Sequence, residues 1–179
     1  MNRLSALVCT SLLLTAMLAG CASWPTQLKT PEVPSALAVP SGKTLTLIAH
    51  ANGVQIYTCS TGSNEASSVE WKLKAPEADL MTSDGKVIAK HYAGPTWEAN
   101  DGSKVAGKVK TSVKSDDANA IAWLLLDASA NSGPGLFMHT TAIQRIHTVN
   151  GKAPADGCTQ AHIGKEVSVA YQADYYFYD

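Results

Sequence analysis

From residue 41 onward, apolar positions recur with a period of two rather than 3.6, which predicts strands and no long amphipathic helix. Residues 44–50 alternate weakly, with Leu45, Leu47 and Ala49 on one side. Gly53 then reads as a turn and residues 54–59 as a second strand. A polar stretch over 60–68 reads as loop. Residues 69–73 are a third strand, followed by Pro76. Asp84-Gly85 is a hairpin signal leading into a strand over 86–92.

The second half repeats the pattern. Val105, Val109, Thr111 and Val113 share one face, with Lys104, Lys108, Lys110 and Lys114 on the other. That is a half-buried antiparallel strand. The lysine face reads as a solvated surface that blocks edge pairing, ahead of a contact to anionic lipid or acidic glycan. Residues 121–126 are continuously apolar and fit either a strand buried on both faces or a short buried helix. Gly133-Pro134-Gly135 breaks the chain, and residues 136–148 form another long strand candidate. Turn signals at Asn150-Gly151, Pro154 and Gly157 lead to Cys158. In the last segment Val167, Val169, Tyr171, Ala173, Tyr175 and Phe177 alternate with Ser168, Gln172, Asp174 and Tyr176. The expected fold is all-β, an antiparallel sandwich or barrel of about 8–10 strands over residues 41–179, in one domain.

Residues 1–20 do not fit this picture. Arg3 precedes an apolar run too short to span a bilayer comfortably, ending in Leu18-Ala19-Gly20-Cys21. This tetrapeptide resembles the lipobox of bacterial lipoprotein signal peptides. The resemblance implies cleavage before Cys21, lipidation of that cysteine, and attachment to the cell membrane without spanning it. The competing reading is a plain secretory signal. With Ala22 and Ser23 next and no aspartate beside the cysteine, the expected destination is the outer membrane, facing the periplasm. Residues 21–40 hold Pro25, Pro31, Pro34 and Pro40 and read as an extended tether. Trp24 reads equally as a headgroup contact or an ordinary linker residue.

Composition narrows the function classes. Of 179 residues, 45% are hydrophobic and 16% charged, and the net charge is −1, so no basic patch points to nucleic acid. With Cys9 in the leader and Cys21 lipidated, only Cys59 and Cys158 remain. Export to an oxidising compartment then predicts a Cys59–Cys158 disulfide, two free buried thiols being the alternative. It would close a loop of about 100 residues, worth up to roughly 4.7 kcal/mol.

Several blocks, in order, carry a further resemblance: Gln55-Ile56-Tyr57-Thr58-Cys59, His91-Tyr92-Ala93-Gly94-Pro95-Thr96-Trp97, Asp101-Gly102-Ser103, Trp123-Leu124-Leu125-Leu126, Ile143-Gln144-Arg145 and the stretch from Tyr171 to Tyr178. Together with Ala153-Pro154 and Gly157-Cys158 they resemble the secreted bacterial and fungal family catalogued as domain of unknown function 3455. Asn150 and His147 depart from the glycine and asparagine expected there. The resemblance implies no established activity. Some fungal relatives carry a dehydrogenase label, but this chain has no G-x-G-x-x-G after a strand and no strand–helix alternation.

Candidate chemistry centres on residues 91–103. His91 reads as a general base or metal ligand, with Asp101 or Glu98 as its orienting carboxylate. The structural alternative is a rigid corner in which Gly94-Pro95 turns the chain, Trp97 fills the core, His91 bonds to backbone and Asp101-Gly102 makes the next turn. That alternative is preferred, because one histidine beside a turn is weak ground for catalysis. Ser103 could join His91 and Asp101 in a triad, but there is no G-x-S-x-G elbow. His50, His91, His139, His147 and His162 are scattered, so no metal is expected. Trp97 and Arg145 are the candidate ligand contacts. Arg145, the only arginine after the leader, reads as paired with an acid such as Asp174 or as the contact to an anionic ligand. The C-terminal tyrosines read as core or as the lining of a groove. The leading expectation is a non-enzymatic, envelope-anchored β domain that binds a small molecule or glycan or plays a structural role, without cofactor. An extracytoplasmic hydrolase or isomerase centred on His91 comes second, and a metal-binding protein third.

Overall fold

The computed structural model describes residues 27–62 and 68–179. The leader, Cys21, Trp24 and part of the polar loop lie outside the described residues. Among the described residues, eight antiparallel strands follow one another around a closed barrel. They are β1 (Leu45–Thr61), β2 (Val69–Met81), β3 (Val87–Tyr92), β4 (Thr96–Ala99), β5 (Lys104–Val113), β6 (Trp123–Ser132), β7 (Ala142–Asn150) and β8 (Glu166–Tyr178). Strand β8 pairs with β7 on one side and with β1 on the other. Thr44 and Asp179 exchange backbone hydrogen bonds beside that seam. The all-β expectation therefore holds, with closure deciding for the barrel over the sandwich. Bulges in β1, β5 and β7 supply the bending that closure needs. An eight-stranded barrel has an interior that side chains can just fill or that can hold one small ligand.

Several elements differ from the pattern-based expectation. Gly53 is not a turn. It lies inside β1, opposite Ala78 and Tyr171, where a Cβ would come within 2.1 Å of the Glu77 carbonyl oxygen. Glycine is there for close approach of two backbones. Pro76 does not end a strand but sits within β2. The β1–β2 register shifts next to it, and β2 meets β3 only from Ala78 onward, so its missing N–H disturbs no ladder on that side. The strand expected over 136–148 begins at Ala142. Residues 136–140 instead form a turn that carries Phe137 into the barrel, where it is fully buried. In β5, register shifts after Ala106 and Val109 break the expected stripe, so Val105 is buried while Val109 is half exposed. Residues 121–126 resolve as the approach to β6 and its first four residues. Leu126 is buried with Leu124 packed beside it in the barrel, and Trp123 packs on an outer cluster.

The alternation of β8 divides two cores. Tyr171, Ala173, Tyr175 and Phe177 face inward against Trp97, Leu126, Phe137 and Ile143. Tyr176 and Tyr178 face outward and join Ala142 and Ile146. Val33 and Val39 cover that outer cluster. Leu37 between them is fully buried, and its carbonyl accepts from the Gln144 side-chain amide at 2.7 Å. The proline-containing segment is thus packed on the barrel from Val33 onward, short of the residue 41 boundary expected for the folded domain. Cys59 near the end of β1 is disulfide-bonded to Cys158 in the loop before β8, with the Cα atoms 5.3 Å apart.

Candidate functional site

A pocket of about 280 Å³ opens where β2 runs past the end of β3. Leu73 and Pro76 from β2, the 93–95 turn, Val109 of β5 and Leu124 of β6 wall it. Its inner surface carries four polar groups, Gln55, His91, Arg145 and Tyr175. Strand alternation puts each there. Gln55 shares a face of β1 with Ala49 and Ala51, and Arg145 shares a face of β7 with Ile143. Tyr175 lies opposite Arg145 in the ladder, and His91 lies opposite Trp97.

His91 is held rigidly. Its ring stacks on Trp97, with centroids 4.5 Å apart and planes within 8°, and Tyr175 meets it edge-on. Nδ1 lies 2.9 Å from the Thr96 carbonyl oxygen. That acceptor requires the proton on Nδ1, which leaves Nε2 as the lone-pair nitrogen. Burial lowers its pKa to about 3, and the Arg145 charge pushes in the same direction. His91 is therefore a neutral ring at neutral pH.

Asp101 belongs elsewhere. One of its oxygens accepts from the Ser103 amide at 2.8 Å and the Ser103 hydroxyl at 2.6 Å; the other accepts from the Leu136 amide at 2.8 Å. These donors lower its pKa, the Ser103 hydroxyl most. The Ser103 hydroxyl also accepts from the Phe137 amide. Asp101 and Ser103 thus pin the turn that places Phe137. They lie past the end of β4 opposite to the Thr96 end on which His91 bonds, some four residues, or about 13 Å of strand, beyond Trp97. Glu98 faces outward to Tyr92 and Lys104. The structure therefore brings together neither a His91–Asp101 pair nor a Ser103 triad.

Arg145 differs from the acid-paired expectation. Asp174 is taken by His50 at 2.6 Å and His147 at 2.8 Å, outside the barrel. Arg145 points the other way, and its Nε and Nη2 both donate to the Ala122 carbonyl, at 3.2 and 2.8 Å. Among the described residues no carboxylate lies within salt-bridge distance of it. The Tyr171 and Tyr175 phenols are close enough to feel its charge. Burial nonetheless raises both pKa values, so both stay protonated. The Tyr175 hydroxyl approaches that of Tyr171 and the Arg145 guanidinium closely enough to interact with both, though short of full hydrogen-bond geometry, and the buried Gln55 amide nitrogen has no partner. No group of three or more His, Cys, Asp or Glu side chains among the described residues is arranged to hold a metal ion.

Of the residues singled out from sequence, His91, Trp97 and Arg145 meet in this pocket, and Asp101 does not. Gln55 was missed, although a lone polar residue on the inward face of an apolar strand is a readable signal. Leu73 and Val109 were missed because the register shifts that expose them are not written in the alternation.

No curated protein and no solved structure matches this chain. Residues 40–179 match one family, described as "Protein of unknown function (DUF3455)". The matched span contains the whole barrel and every residue of the pocket. The chain belongs to that family.

Proposed function

We propose that this protein is an exported, lipid-anchored β-barrel that holds a small organic molecule in the pocket beside Arg145, without transforming it. The observation that carries the reading is the pocket itself. It joins apolar walls to the half-buried Arg145 guanidinium, which no carboxylate among the described residues pairs. Native interiors seldom leave such a charge unpaired, and ligand sites have this composition. The lipobox-like Leu18 to Cys21 supports export and an acyl anchor, with the barrel on the periplasmic side of the outer membrane. A non-catalytic role is supported by the state of His91, because a base whose pKa is about 3 is poorly matched to proton abstraction at neutral pH. The carboxylate that would orient it is engaged in another turn.

Ligand-detected NMR with a library of small neutral and charged aromatic compounds tests the binding reading. Binders are expected against the wild-type protein. Val109→Trp fills the mouth from a half-exposed position and should abolish their signals. Failure to find any binder, or equal signals from the Trp variant, would remove the reading. For the anchor, Cys21→Ser is expected to release the protein from the membrane fraction and end incorporation of labelled palmitate.

A further inference from the structure

Resting on that binding reading, we propose that the pocket selects organic carboxylates. Arg145 would take the acid group, and an apolar body the size of a substituted benzene ring would lie between Leu73, Val109 and Leu124.

Charge gives the sign of the ligand. The pocket lining contains two cations and no aspartate or glutamate. One cation, Lys74, is exposed and paired with Glu166 at 2.8 Å. Arg145 has no such partner among the described residues and sits half-buried inside the barrel wall. Its charge already depresses the His91 pKa. A second cation entering the pocket would meet the same repulsion, whereas an anion would be drawn in.

Geometry gives the class of anion. Two N–H groups of Arg145 converge on the Ala122 carbonyl, which fixes the plane of the guanidinium and leaves three of its five donors. A fixed guanidinium plane is pre-organised for the two oxygens of a carboxylate. Gln55 and Tyr175 lie behind Arg145 at the back of the pocket, both almost fully buried, and add no carboxylate that would compete for the guanidinium. Neutral His91 offers Nε2 as an acceptor and adds no competing charge.

Volume and walls give the body. A cavity of about 150 Å³ accommodates benzene, and this one has about 280 Å³. That leaves room for a ring with a short acid side chain. The partly exposed Pro95 adds an apolar surface at the turn. The half-exposed Leu73 and Val109 mark the rim through which the body would enter.

The test is a matched panel on the purified full chain by calorimetry or NMR titration. Benzoate, phenylacetate, 3-phenylpropionate and hexanoate are each compared with the corresponding amide, and 3-phenylpropylamine serves as the cation. At least one acid is expected to bind about tenfold or more tightly than its amide, as charge-assisted bonds predict. Arg145→Gln should erase that preference by weakening the acids at least about tenfold more than their amides, and Arg145→Lys should restore part of it. Thermal unfolding of each variant checks that it is folded. Equal affinity for acids and amides, tighter binding of the amine, or an undiminished preference in Arg145→Gln would overturn the carboxylate assignment while leaving a binding pocket. Absence of binding by every compound would overturn both.

Discussion

Lowering the pH should destabilise this barrel through His91, and removing that histidine should reverse which protein is the more stable. The ring is buried, with its pKa lowered from 6.5 to about 3. Between those values the unfolded chain binds a proton that the native chain refuses. Stability tied to this group is therefore complete above about pH 6.5 and is lost as pH falls toward 3. At 1.36 kcal/mol per pKa unit, the loss from this one group reaches about 3 kcal/mol at pH 4.5 and about 4 kcal/mol at pH 3. That is a large share of the roughly 5–15 kcal/mol that holds a domain together. His91→Phe keeps a flat ring against Trp97 and removes both the titration and the hydrogen bond to Thr96. Losing that bond should cost about 1–1.5 kcal/mol at pH 7. The variant should thus be the weaker protein at pH 7, equal near pH 5.5, and the stronger by about 1–2 kcal/mol at pH 4.5. Urea unfolding at half-unit pH steps, with the disulfide intact, reads the difference directly, because titration of the carboxylates is common to both proteins. Parallel loss of stability from pH 7 to 4.5 would refute the reasoning, since it would mean that native His91 accepts its proton at an ordinary pH.

Other outcomes follow from single contacts. Replacing Cys59 and Cys158 together by alanine should lower stability by about 2–5 kcal/mol, read as a fall in the urea midpoint; an unchanged midpoint would contradict it. Gly107→Ala would place a Cβ 2.9 Å from Trp97 and 3.2 Å from Leu126, so it should cost about 1–3 kcal/mol by thermal melting despite being a small change. Asp101→Ala should speed hydrogen exchange of the Leu136 and Phe137 amides while leaving those of β7 and β8 protected, because its carboxylate and Ser103 hold that turn in place. Uniform acceleration across the barrel would show a wider role for Asp101.

The strands were legible wherever one face is apolar and the other polar. Strand β8 is the clearest case, since its alternation separated Tyr175 from Asp174 correctly. The same alternation could have redirected Arg145. Arg145 shares its face with Ile143 and lies opposite Tyr175, so an acid on the other face of β8 could not reach it. What alternation cannot encode is which strands meet. Closure, the overhang of β2 past β3, and hence the pocket depend on register and bulges. Gly53 and Pro76 misled for a related reason. Both usually end strands, but here one admits a neighbouring backbone and the other occupies a ladder position with no partner on its far side. Asp101 and His91 are close in sequence because a hairpin connects them, and that hairpin places them toward its two ends.

The seam between β1 and β8 bears on how the protein is made. Thr46 in β1 bonds to a partner 131 residues further along the chain. Until β8 arrives, β1 through β7 present two unsatisfied sheet edges and an uncovered aromatic interior. Contacts this distant in sequence are slow to form, because loop closure must precede them. A polypeptide threaded through a membrane from its N-terminus would therefore remain incomplete, and open to pairing with a neighbour, until nearly all of it had crossed. The demand for a partner that shields those edges falls on the interval before β8 docks rather than on the finished barrel, whose described strands close on themselves.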